Sequence, residues 1–385
     1  MRHRLVKKST GGYKKSNYDV IFMKPLFVRG VTGGTGSSSL ESVIENILLQ
    51  ATDNLAWLNE GDVVLVKPAL NSPDPYPSTT HPLAVEVTAR VLADHGAEVV
   101  IGDQSGMEHV VQGPAGIVRG NTHDNYQRSG MARGNKTRFV RFEGEGWDEG
   151  FFHYSSPATI SWKHGFFITS WIKKADHIIS LPRLSTHSQA GITLGMKIMV
   201  GLLREDSRME FHANGPYNGS IVHYSKGSNL PSEDDGSGTF LEKIVEISDA
   251  VKEKLRLTLF AGTEAQVTFG PDRYAYRLGN IGIGKAYRVK PEPALVFAST
   301  DQVAAEAFAF AIMKDLKRSL PLIPRYKEKM LLFQNRFISE VMTVRVRDHP
   351  FIRHAEGIGL GSMPGEIVFT DVPAPVQERI SSYLA

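Results

Sequence analysis

One short segment carries the side chains best suited to chemistry. It reads Leu181-Pro182-Arg183-Leu184-Ser185-Thr186-His187, and continues through Thr193 to Lys197. It follows a short apolar stretch, His177 to Leu181, that reads as a buried strand. A histidine, a threonine and a lysine therefore fall on one expected strand-to-helix turn, where Gly191 and Gly195 let a backbone come close to a ligand. Lys197 sits inside an apolar run, Ile192 to Leu203, interrupted only by Thr193 and two glycines. An ammonium there is costly unless it is paired or covalently bound. Burial also lowers its basicity, which suits a nucleophile or an acid–base group. The plainer alternative is a snorkelling lysine beside a satisfied core histidine.

Other candidates surround this segment. Lys67 ends the Val-rich strand Asp62 to Lys67, Asn71 follows it, and both are assigned to substrate binding. An ammonium at a strand end suits a carboxylate or phosphate. Asp103 ends the next strand, placed for a base, a metal ligand or a turn. Thr193 and Arg204 are further substrate-binding candidates. Arg204 and Arg208 could meet an anion or form the polar end of a helix. His81, just before Pro82, fits a helix cap better than a site. The glycine clusters at 33–36 and 282–284 lack the order of a nucleotide-binding fingerprint, and 357–361 reads as a turn.

Two resemblances sharpen this. The segments Val66-Lys67-Pro68, Thr80-His81-Pro82, Leu181 to His187, Thr193 to Lys197 and Ala298-Ser299-Thr300-Asp301 resemble a family catalogued only as domain of unknown function three-six-two. The likeness runs from about Asp62 to Gly361. Several members carry ferredoxin-type iron–sulfur modules. This chain has no cysteine, so it can ligate no such cluster through thiolates. Separately, His187-x-x-Ala190-Gly191-x-x-x-Gly195-x-Lys197 is similar to the motif of nickel-pincer lactate racemases. That resemblance implies a nickel-pincer-type cofactor on Lys197, His187 as proton-transfer base and His212 as metal ligand. Two features depart from it. The strand ending Gly102-Asp103-Gln104-Ser105-Gly106 lacks the racemase histidine, and Lys67 to Asn71 replaces the racemase phosphate loop.

The elements that must position these groups alternate between strand and helix. Strands are expected at Tyr18–Phe27, Asp62–Lys67, Glu98–Gly102, His177–Leu181, Leu257–Gly262 and Leu295–Thr300. Helices are expected from Ser39 to Leu58 behind a Ser38 cap, from a Thr80 cap to Gly96, through Gly191–Leu203, over Thr239–Lys254, and from an Asp301 cap to Leu316. The pattern predicts an α/β fold: a parallel or mixed sheet with helices on both faces, in two lobes. Residues 113–150, rich in Gly, Arg and Asn, read as an insertion or lid, and Asn214–Gly238 as a polar loop.

Composition bounds the rest. At 41% hydrophobic and 22% charged, the chain is ordinary for a globular protein. No apolar run reaches the roughly 18 residues of a membrane span, and the N-terminus lacks a signal-like apolar stretch. A cytoplasmic enzyme, with no membrane partner, is expected. The net charge is +3, but Arg2, Arg4, Lys7, Lys8, Lys14 and Lys15 all precede the first acid, Asp19. The body is therefore mildly acidic, and residues 1–17 form a flexible basic tail ahead of a catalytic body over 18–385. No basic, aromatic stripe supports nucleic-acid binding. The leading expectation is an enzyme, monomeric or homo-oligomeric, acting on a small anionic oxygenated substrate by proton transfer next to a carbonyl or hydroxyl. A redox enzyme drawing electrons from a separate iron–sulfur partner, and a non-catalytic metal or cofactor binder, are the alternatives.

Overall fold

The computed structural model describes residues 24–31, 37–216, 226–278, 281–332 and 335–385. Most of the expected strands are present because each is a short β-branched run bounded by turn residues. In chain order, the strands of the two larger sheets are β1 (Leu26–Val31), β2 (Val63–Pro68), β3 (Glu98–Asp103), β4 (Arg138–Arg141), β5 (His177–Leu181), β6 (Ser185–His187), β7 (Gly191–Thr193), β8 (Leu255–Gly262), β9 (Ala265–Gln266), β10 (Arg288–Val289), β11 (Ala294–Ser299) and β12 (Ile367–Thr370). The main sheet has eight strands in the order β12-β1-β11-β8-β5-β2-β3-β4. Strands β8, β5, β2, β3 and β4 are mutually parallel. β11 runs antiparallel to both its neighbours, so the sheet is mixed.

Alternation along the strands loads both faces. Val64, Val66, Ile179, Leu181, Leu257 and Leu259 pack on one side with the helices α1 (Ser37–Ala51) and α2 (Pro82–Asp94). Leu65, Ile178, Phe260 and Phe297 pack on the other with the long helix α4 (Gln302–Arg318). This is the α/β architecture expected, with helices on both faces. Among the described residues, no helix is long and apolar enough to cross a membrane.

Several local expectations change. The first strand is Leu26–Val31; most of Tyr18–Phe27, the basic tail and the 33–36 glycines lie outside the described residues. α1 begins at Ser37, so Ser38 lies within its first turn rather than capping it. α2 is capped by His81, whose Nδ1 accepts from the Leu83 amide at 3.2 Å. Thr80 is used elsewhere: its hydroxyl accepts from the Ala69 amide and donates to the Leu181 carbonyl, tying the ends of β2 and β5 together. Within 113–150, Arg138–Arg141 is a strand of the main sheet. The helix expected over Thr239–Lys254 spans Phe240–Glu246, then tightens into a 3-10 turn over Ile247–Ala250. Asp301 does cap α4, accepting from the Val303 and Ala304 amides.

The helix expected at Gly191–Leu203 is absent. Ser185–His187 and Gly191–Thr193 instead form an antiparallel hairpin, with Ser185 opposite Thr193 and His187 opposite Gly191. A 3-10 turn, Lys197–Leu202, follows. Gly191 has φ +80°, and a side chain there would meet the Phe337 carbonyl. That conformation stops a helix before it starts, while β-branched Ile192 and Thr193 favour the strand.

Candidate active site

The site lies at the carboxyl ends of β2, β3 and β5. The chain leaves β2 for β3 and β4 on one side, and later lands β5 on the other side of β2. Loops at such a switch point diverge and open a crevice. The crevice has a volume of about 860 Å³ including its open mouth. It is lined by Asn71, Asp103, Arg183, His187, Thr193, Lys197, Arg208 and His212, among others.

Beneath it lies a buried ion pair, of which Asp103 reaches the lining. Lys67 Nζ lies 2.8 Å from Asp103 Oδ1 and donates to the Pro68 carbonyl. Asp103 also accepts from the Leu70 and Gln104 amides, both at 2.8 Å. Burial pulls the Lys67 ammonium toward neutrality, and the Asp103 charge opposes that. Both groups are consumed in joining β2 to β3. Lys67 lies under Gly201 and does not line the crevice, so the structure does not place it against a substrate.

Above that pair stand two neutral histidines in opposite tautomers. His187 Nδ1 accepts from the Gln189 amide at 3.0 Å and the Ala190 amide at 3.3 Å. An acceptor nitrogen carries no proton, so the neutral ring must carry its proton on Nε2. Burial, then the nearby Lys197 charge, keeps this imidazole neutral far below its usual range. His212, on helix α3 (Glu205–Ala213), has Nδ1 2.8 Å from the Arg208 carbonyl. A carbonyl only accepts, so the proton sits on Nδ1 and the Nε2 lone pair is free. Burial, with Lys197 adding to it, lowers the His212 pKa to about 3. The tautomers leave His187 with an N–H to donate, and leave His212 with a lone pair that can accept a hydrogen bond, relay a proton or hold a metal.

Lys197 is 6% exposed. Its basicity falls to about 7, first from burial and then from Arg208 and Arg183. Its nitrogen lies 5.4 Å from the centre of the Phe211 ring. The turn leading into it is braced by Glu306 of α4, which accepts from the Met196 amide at 3.0 Å. Burial raises that carboxyl to about 8.

Two guanidiniums complete the crevice. Arg208 donates to the Ser105 and Gln104 carbonyls and keeps a buried Nε without a partner. Arg183 is 4% exposed, with Nε and Nη2 both buried and unpartnered. Burial brings its pKa down to about 10. Arg204 is turned away: it forks onto Asp206 at 2.7 and 3.0 Å and lies between the Trp147 and Phe167 rings. The anion-binding role expected for Arg204 thus has no geometry to support it, and Arg208, one helical turn on, faces the crevice instead.

All of these residues fall within 64–311, the stretch matched by the family model described as Domain of unknown function (DUF362). The match covers more than half of the chain. The chain belongs to the DUF362 family. No curated protein matches it. In this DUF362 chain the family assignment names no reaction.

Some groups of this DUF362 site escape a linear search. At the crevice mouth His109 Nε2 lies 2.9 Å from Asp272 Oδ2, and Asn71 Nδ2 lies 3.4 Å from Asp272 Oδ1. The ligand atoms of Glu108, His109 and Asp272 all lie within 4.8 Å of one another. Such a set could hold a divalent ion, yet Asp272 lies 163 residues from His109, and only folding brings it to the neighbouring Glu108 and His109. Arg183 sat inside the segment first singled out, but its type gave no hint that its guanidinium would be buried without a partner.

Proposed function

We propose that this DUF362 member is an enzyme that moves a proton next to a carbonyl or hydroxyl of a small anionic substrate. Arg183 and Arg208 hold the anion. His187 offers an N–H to the substrate oxygen, His212 takes the proton, and Lys197 supplies a positive charge or a nucleophile. The observation that carries this reading is the pair of opposite histidine tautomers in a crevice with unpartnered buried guanidinium groups. A donor and an acceptor on opposite duties are what proton transfer beside an oxygen requires. Guanidinium N–H groups buried without acceptors are costly, and an anionic ligand relieves that cost.

The test is solvent exchange. The chain is incubated in D2O with small 2-hydroxy and 2-oxo acids, and loss of the adjacent C–H signal is followed by NMR. Exchange that falls on the order of 10²-fold in His212→Gln supports the reading. Binding of these acids with no exchange by the wild-type chain refutes it. A second reading is favoured by the free Nε2 of His212. It keeps Lys197 as a covalent anchor for a nickel-pincer-type group and His212 as the metal ligand. Nickel content and the mass of the Lys197 peptide from natively expressed protein decide it.

A further inference from the structure

Among the described residues five lysines are buried: Lys67, Lys197, Lys243, Lys314 and Lys317. Four of them are tied down. Lys67 meets Asp103 and the Pro68 carbonyl. Lys243 meets Glu210, Asn214 and Asp235. Lys314 donates to the carbonyls of Val341, Met342 and Val344. Lys317 meets the Val267 carbonyl and Glu328. Lys197 alone has no hydrogen bond and no ion pair among the described residues, and it alone of the five lines the crevice. A buried ammonium with no partner is unfavourable, so the neutral amine is the form this setting favours. A neutral primary amine in a crevice is a nucleophile toward carbonyl carbon.

Arg183 indicates what that carbonyl carries. Its two unpartnered nitrogens, Nε and Nη2, form one edge of the guanidinium. Two parallel N–H groups on one edge match the two oxygens of a single carboxylate. Arg183 also acts on Lys197 electrostatically and lines the same crevice.

We infer that Lys197 forms an imine with a 2-oxo acid whose carboxylate is held by the free edge of Arg183. The inference rests on the anion-binding, proton-transferring reading above and gives it a substrate class. The lysine nitrogen attacks the carbonyl carbon, forming the N–C bond, and the carbonyl π electrons move to oxygen. The nitrogen gives up a proton, for which the His212 Nε2 lone pair is the available acceptor. The oxygen gains that proton back from His212, while the His187 Nε2–H donates a hydrogen bond to the oxygen and keeps its own proton. The carbinolamine oxygen then leaves as hydroxide while the nitrogen lone pair closes the C=N bond, and the proton left on nitrogen passes through His212 to the hydroxide, giving water and the imine. Amine and ketone give imine and water, with no oxidant or reductant. Once protonated, the imine draws electrons from the neighbouring carbon and makes its C–H acidic, which is the proton that the proposed reaction moves.

The experiment is reductive trapping. The full chain is mixed separately with pyruvate, oxaloacetate, 2-oxoglutarate and glyoxylate, then treated with sodium borohydride; lactate, which lacks the carbonyl, is the control. A single reduced adduct mapped to Lys197 is expected with at least one of the four acids. It should be lost in Lys197→Arg and Lys197→Met, both with melting temperatures near wild type. Arg183→Gln should lower trapping at sub-saturating acid by about tenfold or more, since a charged hydrogen-bond pair is removed. No adduct on Lys197 with any of the four acids overturns the inference. If the acids still raise the melting temperature through Arg183, the anion-binding reading stands and only the imine falls. If they neither bind nor react, both fall. Equal labelling of exposed lysines that persists in Lys197→Met also overturns it.

Discussion

His187 and His212 share one side chain and line one crevice, yet backbone contacts set them to opposite tasks. Two amides aimed at His187 Nδ1 forbid a proton there. One carbonyl at His212 Nδ1 demands one. The consequence is an asymmetric pair of substitutions. His212→Gln removes the basic lone pair and should cost on the order of 10²-fold in exchange rate. His187→Gln keeps an N–H donor and should cost about tenfold or less. Equal losses measured in the D2O assay would show that the two rings are not so divided. The Lys67–Asp103 pair makes a separate prediction about stability. Lys67→Met leaves a buried carboxylate without its cation and should cost about 3–5 kcal/mol, whereas Lys67→Met with Asp103→Asn should recover most of it. Urea unfolding of the two variants makes the comparison. A single variant as stable as wild type would mean that the two amides on Asp103 suffice.

The hairpin β6–β7 and the 3-10 turn behind it are what bring the chemistry together. His187 ends one strand, Thr193 ends the other, and Lys197 opens the turn. The assembly is pinned from outside by helix α5 (Arg336–Thr343), whose Phe337 carbonyl faces Gly191, and by the Asn335 side chain, which donates to the Ser188 and Gln189 carbonyls. Gly191→Ala should therefore cost about 2 kcal/mol or more and should impair exchange by displacing His187. Gly195→Ala, at a glycine without positive φ, provides the comparison, and calorimetry with the exchange assay reads both. Unchanged activity in Gly191→Ala would show that the hairpin is not what positions His187. The same hairpin marks where the sequence stopped being legible. Strands such as Val63–Pro68 and His177–Leu181, and the Asp301 cap, announce themselves through local composition. An apolar run such as Ile192–Leu203 suits a buried helix or a buried hairpin equally, and the deciding contact comes from Phe337, far along the chain. The choice between Arg204 and Arg208 was hidden for a related reason. Arg204 precedes the first turn of α3 and is captured by Asp206, while Arg208 sits inside the helix, and only packing tells which side faces the crevice. Lys197 was legible because an ammonium in an apolar run is a local signal, His187 because it shares that segment, and His212 only through the racemase-like spacing.

At the scale of the whole molecule, neutral buried histidines make the fold sensitive to acid. His81 and His349 repeat one device, a histidine before a proline that caps a helix by accepting an amide at Nδ1. Burial lowers His81 to about 4. Burial, with Lys314 adding to it, lowers His349 to about 3. In the unfolded chain both titrate near 6.5. Between that value and the folded values the unfolded chain binds more protons, so stability falls as pH falls. Protonation also removes the lone pair that makes each cap. Two carboxyls act with the opposite sign. Burial raises Glu306 to about 8 and Glu205 to about 7, so both contribute stability as pH falls toward about 4.5, their unfolded value, and nothing further below it. The histidine loss should therefore be partly offset down to pH 4.5 and unopposed from there to about 3. The melting temperature should fall most steeply in that lower window. The double variant His81→Asn with His349→Asn keeps a capping acceptor at both helix starts but removes both titrations. Its melting temperature should fall less steeply than wild type below pH 4.5, while Glu306→Gln should leave that window unchanged and alter the curve only above it. An acid limb of the same slope in the histidine double variant would assign the sensitivity to other groups.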